Sequence, residues 1–532
     1  AGQASLALDE AERSVEMLQR TLADRKAAIL ARLQELVEEE RASHVHLETG
    51  DFEAFLREPY CIVPTKPGEW TVVVPRWVDF HIGVLESSTP SYNKFRVNKF
   101  AKWLGNVPKQ LEAQFPFKDP LPAVVEDGFV HVRGKRDQDA AWERYSDHLV
   151  RREGETRLRV KEGAEFRLIA SMIDDGILPF APHPVRKEHL RQKPAWAHEP
   201  NLFNQEGELV PGQSHALTLR PYQERAWAEF LAKGAVGVFW PMGAGKTVIG
   251  LQVVANLDGP VLIVVPTSTL VEQWWERVKK HIHYDQRKQV EIVTYAGLDK
   301  IRARLARDPK FRYRCIIFDE CHVLPANTFS KAATIPTDYR LGLSATPYRE
   351  DGRTDYIFAL TGWPVGLDWQ ELIELGVVQV PEIHVSLSTD EPSKHAVLER
   401  LLQDKKKTLV FCDSIQKGND LSRKLGLLFV DGGTSNRLEK IRHQIATRGA
   451  VIVSRVGDEG LSLQELERVI EVDFLYGSRR QEGQRMGRLF HATAKGEHWV
   501  LMTREEHEKY DKRLLAIREK GFRIKLHKEG TA

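Results

Sequence analysis

From residue 218 onward the chain alternates short, unbroken apolar runs with amphipathic stretches. The runs AVGVFW, PVLIVVP, VEIVTY, CIIFDE and RLGLSAT are followed by TLVFC, LLFVDG, AVIVSRV, RVIEVDF and HWVLMT. Runs rich in Val, Ile and Leu without polar alternation mark strands buried on both faces, hence parallel sheets covered by helices. Ten such strands exceed what one compact sheet of this kind holds. The pattern therefore predicts an α/β protein with two tandem parallel-sheet lobes, over 218–390 and 391–532, with the boundary near 386–400.

Before residue 218 the texture differs. Residues 5–43 place Val15, Leu18, Leu22, Ile29, Leu33 and Leu36 at helical spacings, which predicts a long amphipathic helix or piece of coiled coil over 1–48. Its stripe is short and interrupted by Arg25, which favours packing on its own domain over a dimerising zipper. The segments WTVVVPRWVDFHIGVL and DGFVHVRG alternate as short strands do, so 49–217 reads as an α+β accessory domain with a linker. The basic run HPVRKEHLRQK (183–193) is expected to be exposed linker. In YNKFRVNKFAKW (92–103), Lys and Arg are interleaved with aromatics. That run reads either as a surface that stacks bases and holds phosphates, or as an amphipathic helix with aromatics in the core and lysines in water.

Composition narrows this only a little. At 532 residues the chain is long enough for about three or four folding units. Apolar residues make up 42% and charged residues 29%, the balance of a soluble protein. No apolar run approaches the roughly 18 residues of a membrane span. The start AGQASLALDEAERS has no secretory pattern, so an intracellular location is expected, cytoplasmic or nucleoid-associated in a prokaryote or phage; the missing initiator Met is read as processing or a tag remnant. Cys61, Cys315, Cys321 and Cys412 include no CxxC pair and are expected to be reduced core thiols. The scattered histidines form no zinc pattern. A net charge of +2 means that any nucleic-acid face must be a local arrangement.

The chemistry concentrates in FWPMGAGKTVIGL (239–251), a strand, a turn and a helix start. The simplest phosphate-loop pattern wants glycine where Trp240 stands. What the chemistry needs is otherwise present: Gly243 and Gly245 let backbone N–H groups close around phosphate oxygens, Lys246 reaches the β and γ phosphates, and Thr247 ligates magnesium. CIIFDECH then ends a buried strand in two carboxylates. Asp319 is placed to hold Mg2+ through its water shell, and Glu320 to orient and deprotonate the attacking water. The pairing points to ATP hydrolysis.

Over 219–502 the ordered motifs resemble those of superfamily 2 helicases, whose fold is two RecA-like lobes. LRPYQ is similar to that superfamily's adenine-reading motif, implying Arg220 and Gln223, while GAGKT, with Ala244 between its glycines, and DECH resemble motifs I and II, whose first position is not restricted to glycine. The resemblance implies nucleic-acid backbone contacts at Pro266, Thr267, Thr294, Ser414, Thr434 and Ser454. It implies coupling through His322, Ser344, Ala345, Thr346 and Gln484, further nucleotide contacts at Asp458 and Gly460, and arginines reaching across the cleft at Arg485 and Arg488. RLGLSATPYREDGR and SRRQEGQRMGR are similar to sequences of the XPB (xeroderma pigmentosum group B) branch, with Arg349, Glu350 and Asp351 matching its RED triplet for duplex opening. UvsW-type phage helicases share such a core.

The chain departs from that pattern in two places. His491 stands where motif VI commonly ends in arginine, and the stretch between EIHVSL and KKKTLVF has room for one helix rather than a thumb insertion. The expected function is ATP-dependent DNA helicase or translocase activity on duplex, forked or branched DNA in repair or recombination, with a possible protein partner acting through 1–217. An ATP-gated remodelling subunit and an RNA helicase are the alternatives.

Overall fold

The computed structural model describes residues 15–28, most of 61–345 and of 353–454, then 466–473, 496–509 and 524–528, with a few single positions besides. It divides into two compact units, residues 1–101 with 107–114, and residues 102–106 with 115–532.

In the first unit, residues 15–28 are helical, as their periodicity requires. The stripe is not packed on a domain, however: Val15, Met17, Leu18 and Leu22 are all exposed. Ile29, Leu33 and Leu36 lie outside the described side chains. The unit's sheet comprises β1 (Cys61–Lys66), β2 (Glu69–Pro75), β3 (Val84–Ser88) and β4 (Tyr92–Asn98), antiparallel in the order β1-β2-β4-β3. β4 is the aromatic and basic run, so its period is two, not 3.6. That alternation buries Phe95 and Val97, and Phe100 and Lys99 beyond the strand are buried too. Phe95 and Phe100 are thus core residues and offer no stacking surface, and Lys99 is not in water.

The second unit begins with an antiparallel sheet of β5 (Ala123–Glu126), β6 (Phe129–Val132), β7 (Leu149–Glu153) and β8 (Arg157–Val160). Val130, Leu158, Tyr145, Leu168 and Met172 form its core. The helix Glu165–Asp174 also turns Phe166 outward from that core, 6.1 Å from the Phe329 ring and 5.3 Å from Tyr356. Both partners lie on helices of the first lobe, Ala326–Ala333 and Thr354–Thr361. The expected single accessory domain over 49–217 is therefore divided, and its second half belongs to the second unit with the first lobe.

The basic run at 183–193 is likewise no free linker. Its backbone is fastened along the lobe, Val185 N donating to Leu231 O at 2.8 Å, Arg191 N to Asn256 O at 2.8 Å and Ala195 N to Ala255 O at 2.7 Å. Arg186, Lys187, Glu188 and Lys193 still face water, while Arg191 is bonded to Asp258 and Gln286; the exposed charges are why the pattern alone read as linker. The short pair β9 (Leu202–Phe203) and β10 (Leu209–Val210) follows.

The first lobe is a parallel sheet of β11 (Ala235–Phe239), β12 (Val261–Val265), β13 (Val290–Thr294), β14 (Tyr313–Asp319), β15 (Thr337–Ser344) and β16 (Trp363–Gly366), in the order β13-β12-β14-β15-β11-β16. The second comprises β17 (Glu382–Ser388), β18 (Thr408–Cys412), β19 (Phe429–Val430), β20 (Ala450–Val453), β21 (Arg468–Asp473), β22 (Glu497–Thr503) and β23 (Ile524–Lys528), in the order β19-β20-β18-β21-β22-β17-β23. All ten strands read from apolar runs are present, and β16, β17 and β23 are additional.

β17 corrects the lobe boundary. EIHVSL pairs with β22 along its whole length, so the second lobe begins before residue 382 rather than at 391. One helix, Glu391–Leu402, separates β17 from β18, as the spacing predicted, with Asp390 accepting from Ser393 N at 2.9 Å as its cap. All four cysteines are free and buried. No described helix is long and apolar enough to cross a membrane.

Phe166→Ala is expected to destabilise the second unit by about 3 kcal/mol, read as an earlier urea midpoint and faster proteolysis between residues 115 and 180.

Candidate active site

β14, β15 and β11 are adjacent and parallel, and their registers pair Asp319 with Leu343 and Phe239 with Ser344. Three chain segments therefore leave the sheet at one carboxyl edge, where ligands collect in such folds. After β11 the backbone continues through Trp240, whose N–H donates to Ser344 O at 3.1 Å, and the turn closes at the helix Lys246–Asn256. Gly243 and Gly245 are both left-handed, with φ of 86° and 76°. A Cβ at Gly245 would stand 2.6 Å from Gln223 Nε2.

Trp240 takes the place of a glycine because its ring turns inward. It is buried edge-to-face on Tyr222, with ring centroids 5.2 Å apart. Tyr222 OH donates to Ala244 O at 2.9 Å, and Gln223 Nε2 approaches the carbonyls of Ala244 and Gly245 at 3.3 and 3.4 Å. Gln223 Oε1 accepts from Arg220 N at 2.9 Å. Gln223 is thus buried as a brace between the helix Pro221–Lys233 and the loop, while Arg220 is exposed beside it. Lys246 Nζ donates to the carbonyls of Trp240 and Pro241 at 3.0 and 3.3 Å. Burial pushes its ammonium below the usual lysine range, and the charges of Glu320 and Asp319 oppose that.

Asp319 is buried at the end of β14. Its Oδ2 accepts from Trp274 Nε1 at 2.7 Å, its Oδ1 from Glu320 N at 3.0 Å, and its carbonyl from Tyr295 OH. Burial raises its pKa, while the indole bond and the cations Lys246 and Arg277 hold it down. Glu320 follows at φ 48°, a left-handed position that a non-glycine residue occupies at some cost and that clusters at functional sites. His322 Nδ1 lies 2.6 Å from Ser344 Oγ and 3.3 Å from Glu320 Oε2, so the coupling candidates His322 and Ser344 meet directly beside that carboxylate. Ala345 follows Ser344 and is partly exposed.

Sequence reasoning missed Trp274 and Arg277, on the helix Ser268–His281. Arg277 Nη1 donates to Thr247 Oγ1 at 3.1 Å. Their three-residue spacing puts them on one helix face, but WWER carries no motif signature.

The expected backbone-contact residues sit at carboxyl ends of strands in both lobes. Pro266 and Thr267 follow β12, Thr294 ends β13, Ser414 follows β18, Thr434 follows β19 and Ser454 follows β20. Several also shape the chain: Thr267 and Ser414 cap helices, and Thr434 Oγ1 closes a turn onto Asp431 at 3.0 Å. Ser454 is buried. The two lobes touch nearby, through Arg442 to Glu276 at 2.9 and 3.1 Å and Arg437 to Ser268 at 3.2 Å. Thr346, Arg349, Glu350, Asp351, Asp458, Gly460, Gln484, Arg485, Arg488 and His491 lie outside the described residues.

Gly245→Ala is expected to cost about 1–3 kcal/mol of stability from backbone strain and from displacing the Gln223 amide, measured by thermal unfolding.

Comparison with known proteins agrees with this geometry. Residues 216–349 match the model of the type III restriction enzyme res subunit, and residues 382–513 that of the ERCC3/RAD25/XPB C-terminal helicase. The chain is 32% identical over 353 residues to the protein named Rad25 of Halobacterium salinarum, a match covering 58% of each chain. It is 28% identical over 383 residues to the DNA 3'-5' helicase XPB of Mycobacterium tuberculosis, covering 62% of this chain and 68% of that protein. It is 27% identical over 375 residues to the XPB helicase/translocase subunit of the general transcription and DNA repair factor IIH of Schizosaccharomyces pombe, covering 58% of this chain and 46% of the relative. The chain thus spans little more than half the length of the Halobacterium relative.

Proposed function

We propose that this chain is an ATP-driven DNA helicase or translocase of the XPB type, moving along DNA by cycling its two lobes. The observation that carries the reading is the convergence of the Gly243–Thr247 loop, the Asp319–Glu320 pair and the His322–Ser344 contact at one sheet edge, in a chain with an XPB-type C-terminal helicase domain.

The loop supplies backbone N–H groups and the Lys246 ammonium for the nucleotide phosphates. To reach them, Lys246 exchanges its bonds to the carbonyls of Trp240 and Pro241 for phosphate oxygens. Thr247 and Asp319 offer a hydroxyl and a carboxylate, the hard oxygen donors that magnesium prefers, and a positive charge already lies against them in Arg277. Those two residues would hold the ion, which supplies charge neutralisation on the phosphates. Glu320 is the general base that orients water. Its contact with His322, and the contact of His322 with Ser344, link the state of the γ-phosphate to the segment leading into Thr346. Arg485 and Arg488 supply positive charge from the second lobe, and Asp458, Gly460 and Gln484 complete that side.

The DNA strand runs across the carboxyl ends of β12, β13, β18, β19 and β20, held at Pro266, Thr267, Thr294, Ser414, Thr434 and Ser454. These contacts go to phosphates and sugars, so affinity is largely independent of sequence. Arg349, Glu350 and Asp351 act at the duplex junction. Protein partners dock through residues 1–217, where the helix at 15–28 exposes its apolar side chains.

ATP turnover is expected to rise with single-stranded, forked or duplex DNA and to fall by about 10²-fold or more in Lys246→Ala and Glu320→Gln. Turnover indifferent to every polymer would favour a remodelling subunit, and stimulation by RNA alone an RNA helicase. DNA affinity is expected to drop steeply between about 50 and 200 mM salt, as read by fluorescence anisotropy.

A further inference from the structure

Arg277 is a cation placed among the groups that would themselves bind a cation. It lies one turn from Trp274 on the helix Ser268–His281. Trp274 fixes Oδ2 of Asp319 at 2.7 Å, and Arg277 donates to Oγ1 of Thr247 at 3.1 Å while its charge acts on Asp319. Burial disfavours the charged guanidinium, and Asp319 and Glu276 compensate.

We propose that Arg277 is a positioning residue that serves as a resident cation for the Thr247–Asp319 oxygen pair, so that a divalent ion enters only by displacing it. The inference rests on the reading of Thr247 and Asp319 as magnesium donors. Three physical points support it. Buried Asp319 and partly buried Glu320 lie close to this corner, and Lys246 spends its hydrogen bonds on the carbonyls of Trp240 and Pro241. Arg277 is therefore the cation whose hydrogen bond reaches the Thr247–Asp319 pair directly, through Thr247 Oγ1. A guanidinium on Thr247 Oγ1 and a divalent ion at the same oxygen repel each other in a poorly screened site, so the two occupancies exclude one another. Finally, Arg277 has an alternative place to go: the phosphates that arrive with the metal are bidentate acceptors suited to its planar donor set.

The neighbouring residue gives the displacement a route outward. Glu276 holds Arg442 of the second lobe through two bonds of 2.9 and 3.1 Å. A shift of the helix that releases Arg277 from Thr247 acts one residue away from a contact between the lobes.

The test is binding of a fluorescent ATP analogue to the full chain, titrated with MgCl2, for the wild type, Arg277→Met and Arg277→Gln. Glutamine keeps an N–H donor without the charge, and serves if the methionine variant fails to fold. The half-saturating Mg2+ concentration is expected to fall about three- to tenfold in both variants. In EDTA, both variants are expected to bind the analogue more weakly than the wild type, because the phosphates lose a protein cation. Half-saturation within about twofold of wild type in both variants would overturn the proposal, as would a shift confined to Arg277→Met, which would mark a packing effect. A wild type that binds no analogue at any Mg2+ concentration would overturn the nucleotide reading and this inference with it. A wild type that binds normally beside unshifted variants removes the inference alone.

Discussion

Asp319 is a carboxylate held almost out of water at the end of a parallel strand, and the surrounding structure is arranged to keep it there. Burial pushes its pKa upward. An indole N–H, a backbone N–H and two cations converge on it. They come from three elements: the helix after β12 supplies both the indole and Arg277, the turn after β14 the backbone N–H, and the segment after β11 Lys246. Holding this one charge thus fixes the relative placement of three strand ends, and the parallel order β12-β14-β15-β11 makes that placement possible.

The same arrangement explains why the phosphate loop tolerates tryptophan at its first position. The glycines that matter are those whose backbone is left-handed, Gly243 and Gly245. Position 240 still belongs to the ladder, since it donates to Ser344 O. There a large ring fills the space under the loop against Tyr222, whose hydroxyl holds the Ala244 carbonyl. The aromatic pair supports from below a turn that glycines alone would leave loose.

Much of this was legible in the sequence, for identifiable reasons. Continuous apolar runs announced the buried strands, and the GKT and DECH letters placed Lys246, Thr247, Asp319 and Glu320 at strand ends, where they are found. The failures have physical causes too. The aromatic and basic run at 92–103 was ambiguous between periods, and sheet pairing resolved it as a strand that buries Phe95. β17 escaped the lobe count because EIHVSL alternates polar and apolar residues, and only its pairing with β22 assigns it to the second lobe. Trp274 and Arg277 were invisible because their role depends on a helix crossing over two distant strand ends, which spacing along one segment does not encode.

The strap at 183–198 carries a last consequence. It lies across the back of the first lobe, its amides spent on the carbonyls of Leu231, Ala255 and Asn256 and its Val185 side chain tucked in. The first lobe is therefore not a cassette whose edge coincides with its first motif. What evolution can transplant, or an experimenter can cut free, starts upstream of that motif's letters. The sheet β5-β6-β8-β7 is joined to it through the rings that Phe166 packs on, Phe329 and Tyr356.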